Sequence, residues 1–438
     1  MIKALRFFML TIITAVLTFS FGMGTYAKER TPDTSYRSVT EIHDWGAAIK
    51  KLIIEVGKPL PRNSVAADTF DVHVTRSDER LTSPLLEEGY REVTKAYVSD
   101  KNGKPVKRGK YVVLEMKIGP EVSLGSPLNY TAGFNMWIES DYTITQVKDI
   151  RVNPGKSGTI SGLVIDDFKG ESRVLVDDFS SGKATYNDVT LTYADYAPAK
   201  DRNKNPLIIW LHGGGEGGTD PTIPLSANKA ADFASDRIQS YFDGAYVLVP
   251  QTPTRWMDGF TGGSDGTSIY QESLMSLISD YVDENPDIDP NRIYIGGASN
   301  GGYMTMLMVR DYPGYFAAAF PVAEGLADRL ITDEDILNMA QTPIWFVHAK
   351  NDTTLRPENN TIPTYNRLIK AGAPNVHLSL FDDVHDTSGL YKNSDGTPYQ
   401  YEGHWSWIYV YNNDVETSIN GQTITLMEWM AAQKSNQL

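Results

Sequence analysis

The stretch Ile293-Tyr294-Ile295-Gly296-Gly297-Ala298-Ser299-Asn300-Gly301-Gly302-Tyr303 decides how this chain of 438 residues is read. An apolar run of strand type meets a helix-like segment that continues to Arg310, and one serine stands at the turn between them. A serine hydroxyl attacks carbon only when something presents it to substrate, and a strained strand-to-helix turn does so if its neighbours are too small to clash. Gly296, Gly297, Gly301 and Gly302 meet that requirement. The helix that begins there also aims unpaired N–H groups and its positive dipole end at the place where an oxyanion would form. A bare G-x-S-x-G says little in a chain with 36 glycines, so the order strand, turn, helix carries the reading. Ser299 is the expected nucleophile; the competing role is that of a helix-capping serine in a glycine-rich turn.

Upstream, Leu207-Ile208-Ile209-Trp210-Leu211 is a continuous apolar run of the kind found in a strand buried on both faces. It leads into His212-Gly213-Gly214-Gly215-Glu216-Gly217-Gly218. Glycines let backbone N–H groups approach a small anion, so Gly214, with Gly215 as a further candidate, is expected to supply one oxyanion donor and the N–H of Asn300 the other. A phosphate cradle is the other use of such a loop. No Lys-Ser or Lys-Thr closes it, however, and no G-x-G-x-x-G opens a βαβ unit.

A third apolar run, Pro343 to Ala349, continues into Lys350-Asn351-Asp352 and places a carboxylate just past a strand's carboxyl end. Open parallel sheets gather ligand groups at that edge. The chain order Ser299, Asp352, His is that of α/β-hydrolases, where the carboxylate orients the imidazole and stabilises its charged form. An ordinary Asn-Asp turn is the alternative. Of the seven histidines, His43 and His73 precede the hydrolase segment, His212 belongs to the glycine loop, and His348 and His377 lie within strand-like runs. His385, close behind the run His377 to Phe381, and His404, beyond a hairpin-like insertion around Asn393-Ser394-Asp395-Gly396, both remain open as the base.

Ser299, the glycine loop after His212, Asp352 and Gly403-His404-Trp405-Ser406-Trp407 together resemble the two-domain bacterial esterases in which an immunoglobulin-like domain precedes an α/β-hydrolase. These belong to a wider group of polyhydroxybutyrate depolymerase-like and prolyl-oligopeptidase-like enzymes. The likeness runs along most of the chain, with counterparts at Asp289 to Tyr294, Tyr312-Pro313, Phe316-Ala317-Ala318 and Pro250-Gln251 with Trp256. In that family the base precedes a Ser-Trp pair, so the resemblance favours His404 over the alternate His385. Trp256 and Trp405 are the expected substrate-pocket residues, with anchoring of the histidine loop as the other use of Trp405 and Trp407. The chain departs from the family at Asn300, where Met or Gln is commoner, and at Gly215, where a Glu usually follows two glycines.

Length and a 41% hydrophobic content allow more than one domain with sizeable cores. Met1 to Ala27 carries Lys3 and Arg6, an apolar stretch from Phe7 to about Phe21, and Thr25-Tyr26-Ala27 as a small-residue cleavage site. This predicts a secretory signal, with an uncleaved membrane anchor as the alternative. From Lys28 to Ser181, short β-branched or aromatic runs (Ala48 to Val56, Thr69 to Arg76, Val93 to Ser99, Lys110 to Ile118, Met136 to Ser140) alternate with polar turns such as Asp100-Lys101-Asn102-Gly103. Pro154 to Gly158 and Ser180-Ser181-Gly182 are breaks near the domain junction. Beyond them, strands alternate with helix-like segments such as Tyr270 to Asp283 and Ile424 to Gln433. The expected fold is therefore a signal peptide over 1–27, an immunoglobulin-like all-β sandwich over 28–181, and a doubly wound, mostly parallel α/β-hydrolase domain over 182–438.

Cysteine is absent, which excludes disulfides, thiol catalysis and lipoprotein anchoring together. Loss of Lys3 and Arg6 with the signal takes the formal net charge from −15 to −17, a surface that repels nucleic acid and anionic lipid. No His-Glu-x-x-His helix and no calcium-loop spacing occurs, so neither metal nor cofactor is expected. The expected activity is that of a secreted serine carboxylesterase for short acyl chains. A feruloyl or acetyl-xylan esterase on plant polysaccharide ranks second and a prolyl-oligopeptidase-type peptidase third; a binding protein on a degenerate scaffold is opposed by the intact Ser, Asp, His and glycine loop. The β domain reads as a spacer or lid beside the site, or as a homo-oligomer contact. Its other reading is a polysaccharide-binding module with Tyr111, Trp137 and Tyr142 as a stacking platform. Met304, Met306 and Met308 read as core packing with some lining of an acyl pocket.

Overall fold

Alternation of apolar and polar residues builds the first part of the chain. Along the strand Phe70–Ser77, the residues Phe70, Val72, Val74 and Arg76 turn inward and those between them outward. The computed structural model describes residues 34–152, 158–200 and 202–435; the expected signal segment and most of the Pro154 to Gly158 break lie outside them. Five strands form one sheet in the order Phe168–Arg173, Ser35–His43, Gly46–Pro61, Arg108–Met116, Val93–Ser99. Four form the other, in the order Val164–Ile165, Glu139–Gln146, Phe70–Ser77, Leu85–Arg91. Leu52, Ile54, Val74, Val112, Leu114 and Ile144 meet between them, fully buried. Burial of each such side chain stabilises the domain by roughly 1.5–3 kcal/mol.

Two sequence expectations need correction in this domain. Met136 to Ser140 is not one strand: Phe134–Trp137 closes a separate hairpin with Leu128–Thr131, and Glu139–Gln146 then enters the sandwich. Two of the three residues of the proposed stacking platform are engaged otherwise. Tyr142 is buried with its hydroxyl accepting from Arg91, while the Trp137 indole N–H donates to Thr222 Oγ1 (2.8 Å) under the guanidinium of Arg173.

Between Arg173 and Ser180 the chain passes from the sandwich to an eight-stranded sheet. Its order is Ser180–Tyr186, Val189–Tyr196, Tyr246–Gln251, Asn205–Leu211, Ile288–Ala298, Ala318–Val322, Ile344–Ala349, Val376–Phe381. The first two pairings are antiparallel and the other five parallel. Strands in the middle are covered on both faces, which is why Asn205–Leu211 and Ile344–Ala349 are buried at every position and, Asn205 and His348 apart, apolar without alternation. Ile208 and Trp210 face one core, with Phe320, Trp345 and Tyr411; Leu207, Ile209 and Leu211 face the other, with Ile295 and Phe346. Met304, Met306 and Met308 pack in the second core and are fully buried. The C-terminal helix is Leu426–Ala431, shorter than the expected Ile424 to Gln433, because Thr425 and Glu428 form a reciprocal capping box that starts it at Leu426. Among the described residues no helix is long and apolar enough to cross a membrane.

The helix Asn300–Asp311 comes closest to the sheet where side chains are missing. A Cβ on Gly301 would lie 1.9 Å from the Leu211 carbonyl oxygen, one on Gly297 2.6 Å from the Gly301 carbonyl carbon, and one on Gly302 2.8 Å from Glu324 Cα. These are backbone atoms and cannot give way as a flexible side chain would. Gly301→Ala is therefore expected to destabilise the protein by about 3 kcal/mol or more, at the upper end of overpacking costs. Gly263→Ala, whose nearest neighbour would be 3.9 Å away, should change stability little. Urea unfolding midpoints of the two variants check this.

Candidate active site

Ser299 ends the strand Ile288–Ala298 and begins the helix Asn300–Asp311 with φ 56° and ψ −110°, a conformation that a non-glycine residue holds at a cost of roughly 1–3 kcal/mol. The backbone is pinned on both sides: its N–H donates to Val322 O (2.8 Å) and its carbonyl accepts from Tyr303 N (2.9 Å). Its side chain makes no helix-capping hydrogen bond, so the hydroxyl is not occupied in the role that competed with that of nucleophile. The residue is half-buried, not enclosed.

Asp352 lies past the end of the strand Ile344–Ala349 and is 2% exposed. One of its oxygens, Oδ1, accepts from the N–H groups of Thr354 (2.8 Å) and Leu355 (2.9 Å). The other, Oδ2, lies 2.7 Å from His404 Nδ1. Burial works to raise the Asp352 carboxyl, but hydrogen bonds from His348 and His404, the charge of His404 and the Leu355 N–H outweigh it and hold the group well below the usual carboxylate range. His404 sits in the short turn Gly403–Trp405, where a Cβ on Gly403 would lie 2.6 Å from the Asn351 carbonyl oxygen. That close approach brings the histidine loop onto the loop carrying Asp352. His385 is placed elsewhere: its Nδ1 lies 2.6 Å from Asp383 Oδ1 and 3.3 Å from the Tyr409 hydroxyl.

A second imidazole on Asp352 escapes sequence reasoning, because His348 is an inward-facing strand residue. Its Nε2 faces two acceptors, Asp352 Oδ2 at 3.1 Å and Leu355 O at 2.8 Å, and so carries the proton. Nδ1 then accepts, from Thr361 Oγ1 at 2.8 Å. Thr361 Oγ1 is also 3.2 Å from Glu324 Oε1, and the single hydroxyl proton serves only one of these neighbours. A protonated Glu324 supplies the missing one. Burial pushes the Glu324 carboxyl up to about 8, in agreement with that count. The chain Asp352, His348, Thr361, Glu324 is thus a buried, fully bonded network behind the carboxylate; its only sequence trace is the four-residue spacing of His348 and Asp352.

The glycine loop is held from behind. Thr252 N–H donates to His212 Nε2 (3.2 Å), so the proton sits on Nδ1 and donates to Gly213 O (2.7 Å). Burial lowers His212 to about 4 and keeps it neutral. Glu216, buried in the same loop, is pushed up to about 7 by burial and accepts from Asn228 Nδ2. Gly214 adjoins Asn300: a Cβ on Gly214 would lie 3.8 Å from Asn300 Cβ, which brings the two expected anion donors side by side. Asn300 itself is buried, and its Oδ1 accepts from Trp256 N (2.6 Å). This gives the unusual Asn a structural task. Trp256 is fully buried beside His212 and Tyr270, which corrects its reading as a pocket wall. Trp405 is half-buried and stacks on Tyr401 and Trp407.

The sandwich domain reaches this loop through the hairpin of Leu128–Thr131 and Phe134–Trp137. Asn135 N–H donates to Gly215 O (2.7 Å), and a Cβ on Gly215 would lie 3.1 Å from the Tyr130 ring. Gly215 is therefore a docking point for the hairpin, where a side chain would press on Tyr130 and Asn135. Among the described residues no group of three or more His, Asp and Glu side chains is arranged to hold a metal.

Residues 35–159 match the family described as "Esterase Ig-like N-terminal domain", and residues 272–337 match the "Prolyl oligopeptidase family". The chain is 29% identical over 234 residues to "Poly(3-hydroxyalkanoate) depolymerase C" of Paucimonas lemoignei, covering 44% of this chain and 51% of that protein. It is 29% identical over 141 residues to "Feruloyl esterase B" of Neurospora crassa, covering 30% and 43%. The chain thus spans about half the length of the curated relatives it matches. A solved structure titled "Crystal Structure of a Thermostable Esterase" superposes with a TM-score of 0.74 at 24% identity, over 91% of this chain and 99% of that one, and shows the same fold.

Two stability tests follow from this geometry. Glycine adopts the backbone conformation of Ser299 without strain, so Ser299→Gly should be at least as stable as Ser299→Ala, reversing the usual penalty of about 0.5–1 kcal/mol for glycine. Glu324 has a raised carboxyl pKa in the fold, so its contribution is complete below the unfolded value near 4.5 and disappears as pH rises through about 8. The wild-type unfolding free energy should fall across that window, and Glu324→Gln should flatten the fall by on the order of a few kcal/mol. Urea titrations at pH 5 to 9 check both.

Proposed function

Taking as premise a serine hydrolase that joins an esterase-type immunoglobulin-like domain to an α/β-hydrolase fold, we propose that this protein is a secreted carboxylesterase acting on short-chain carboxylic esters through Ser299, His404 and Asp352. The observation that carries the reading is the 2.7 Å contact between His404 Nδ1 and Asp352 Oδ2. It fixes the proton on Nδ1 and leaves Nε2 as the base. His404 Nε2 takes the Ser299 hydroxyl proton as the oxygen attacks the ester carbonyl, and the N–H groups of Gly214 and Asn300 hold the oxyanion. Collapse of the tetrahedral adduct breaks the bond to the alcohol, which leaves with the proton from His404. Water then attacks the acyl-enzyme by the same route, releasing the acid and restoring Ser299. The segment 1–27 directs export, and cleavage after Ala27 leaves Lys28 as the first residue.

A feruloyl or acetyl-xylan esterase is the second reading, favoured by one observation. Trp45 of the sandwich domain and Tyr399, Tyr401 and Trp405 of the hydrolase domain line a groove of about 340 Å³ beside the turn that carries His404. Aromatic walls suit a phenolic ring or the apolar face of a sugar. The match to a feruloyl esterase supports ester chemistry in either case.

Ser299→Ala and His404→Ala should each lower turnover roughly 10⁶-fold, and His385→Ala should leave it within about tenfold. The reverse result for the two histidines would assign the base to His385. A panel of p-nitrophenyl esters graded by acyl length, with methyl ferulate and acetylated xylan, ranks the substrates. Highest kcat/KM is expected for acetate to butyrate, and a preference for methyl ferulate or xylan acetate would establish the second reading. Lys28 at the amino terminus of protein recovered from culture medium checks export.

A further inference from the structure

Arg255 stands out among the charged residues around the site. It precedes the buried Trp256 and is itself exposed. A Cβ on Gly214 would lie 3.7 Å from its Nε, the same distance range at which that Cβ would meet Asn300. The arginine therefore borders Gly214, one of the two expected oxyanion donors, which itself adjoins the other, Asn300. Its outer end is held by the sandwich-domain hairpin: the guanidinium carbon lies 5.8 Å from the Phe134 ring centroid, and a Cβ on Gly133 would be 3.0 Å from one terminal nitrogen. Seven other arginines among the described residues hold a carboxylate in an ion pair, but the guanidinium of Arg255 makes neither an ion pair nor a hydrogen bond within the described chain. The nearest acid in sequence, Asp258, accepts instead from the Thr254 hydroxyl and from the backbone N–H of Arg255. In a chain of net charge −15, a cation left unpaired beside the reaction centre is an unspent binding group.

We propose that Arg255 is a specificity residue for esters that carry a free carboxylate a short spacer away from the scissile carbonyl, such as half-esters of small dicarboxylic acids. A guanidinium offers two parallel N–H donors that match a carboxylate, and contact with Phe134 and Gly133 restricts the side chain before substrate arrives. The carboxylate docks on Arg255 while the carbonyl oxygen enters between Gly214 and Asn300. The substrate class thus depends on both domains, since the hydrolase supplies the cation and the sandwich domain orients it. This rests on the ester-hydrolase reading of Ser299.

The full chain is assayed on monoethyl succinate and ethyl butyrate. Arg255→Gln is expected to lower the ratio of kcat/KM for the anionic over the neutral ester tenfold or more, Arg255→Lys to lower it less, and Arg255→Glu to lower it furthest. The wild-type preference should shrink as ionic strength rises. An unchanged ratio in Arg255→Gln overturns the proposal, as does a loss of thermal stability with no change in ratio, which would make Arg255 a pin for the hairpin. A binding arm separates this from failure of the ester-hydrolase reading. In the Ser299→Ala background, calorimetry with monoethyl succinate should show binding at least tenfold weaker when Arg255→Gln is added, whether or not the wild type turns over either ester. Equal binding in both backgrounds overturns the proposal independently of turnover.

Discussion

The backbone of the elbow helix is pressed onto the carbonyl of Leu211, and the site's geometry depends on that contact. Gly301 sits where any side chain would collide with the Leu211 oxygen, and Gly297 where it would collide with Gly301 itself. Leu211 is also the last residue of the strand that leads into the glycine loop. A single close approach thus couples the turn holding Ser299 to the loop holding Gly214, and it tolerates no methyl group. The strain at Ser299 persists because hydrogen bonds to Val322 and Tyr303 fix the residue on both sides.

Buried ionisable groups form the second layer of the design. Asp352 stays charged because four donors are directed at its two oxygens, while Glu324, at the other end of the same network, stays protonated because burial outweighs its hydrogen bonds. Two carboxyl groups joined through His348 and Thr361 are thereby kept in opposite states. Behind the glycine loop burial acts in the same direction, lowering His212 to about 4 so that it is neutral and raising the Glu216 carboxyl to about 7.

The sandwich domain is part of the site's wall and not only a neighbour. Its hairpin bonds to Gly215, presents Tyr130 and Phe134 to the glycine loop, and restricts Arg255. Farther out, Lys229 bridges Asp44 of the sandwich and Asn412 of the hydrolase, and Asn412 also donates to Asp44. Polar links at this edge and the apolar contact of Ala47, Leu128 and Ile223 near the hairpin join the two domains.

Much of this was legible along the chain, because the signals are local. Continuous apolar runs marked strands buried on both faces, alternation marked the sandwich, and glycines on both sides of Ser299 marked the elbow. Boundaries were less legible where one residue type serves two elements: Met136 to Ser140 spans the end of a hairpin and the start of a sandwich strand, and Ile424 belongs to a strand that a capping box cuts off from the helix. What the sequence alone determined is the fold, with Ser299, Asp352 and the glycine loop each just past the end of a buried strand. Only the tertiary structure decided which imidazole meets Asp352, that His348 and Glu324 stand behind it, that Trp256 is core, and that Arg255 borders Gly214. Apart from the four-residue step from His348 to Asp352, those relations join residues tens of positions apart on different strands and loops, and no pattern of spacing encodes them until the backbone has packed.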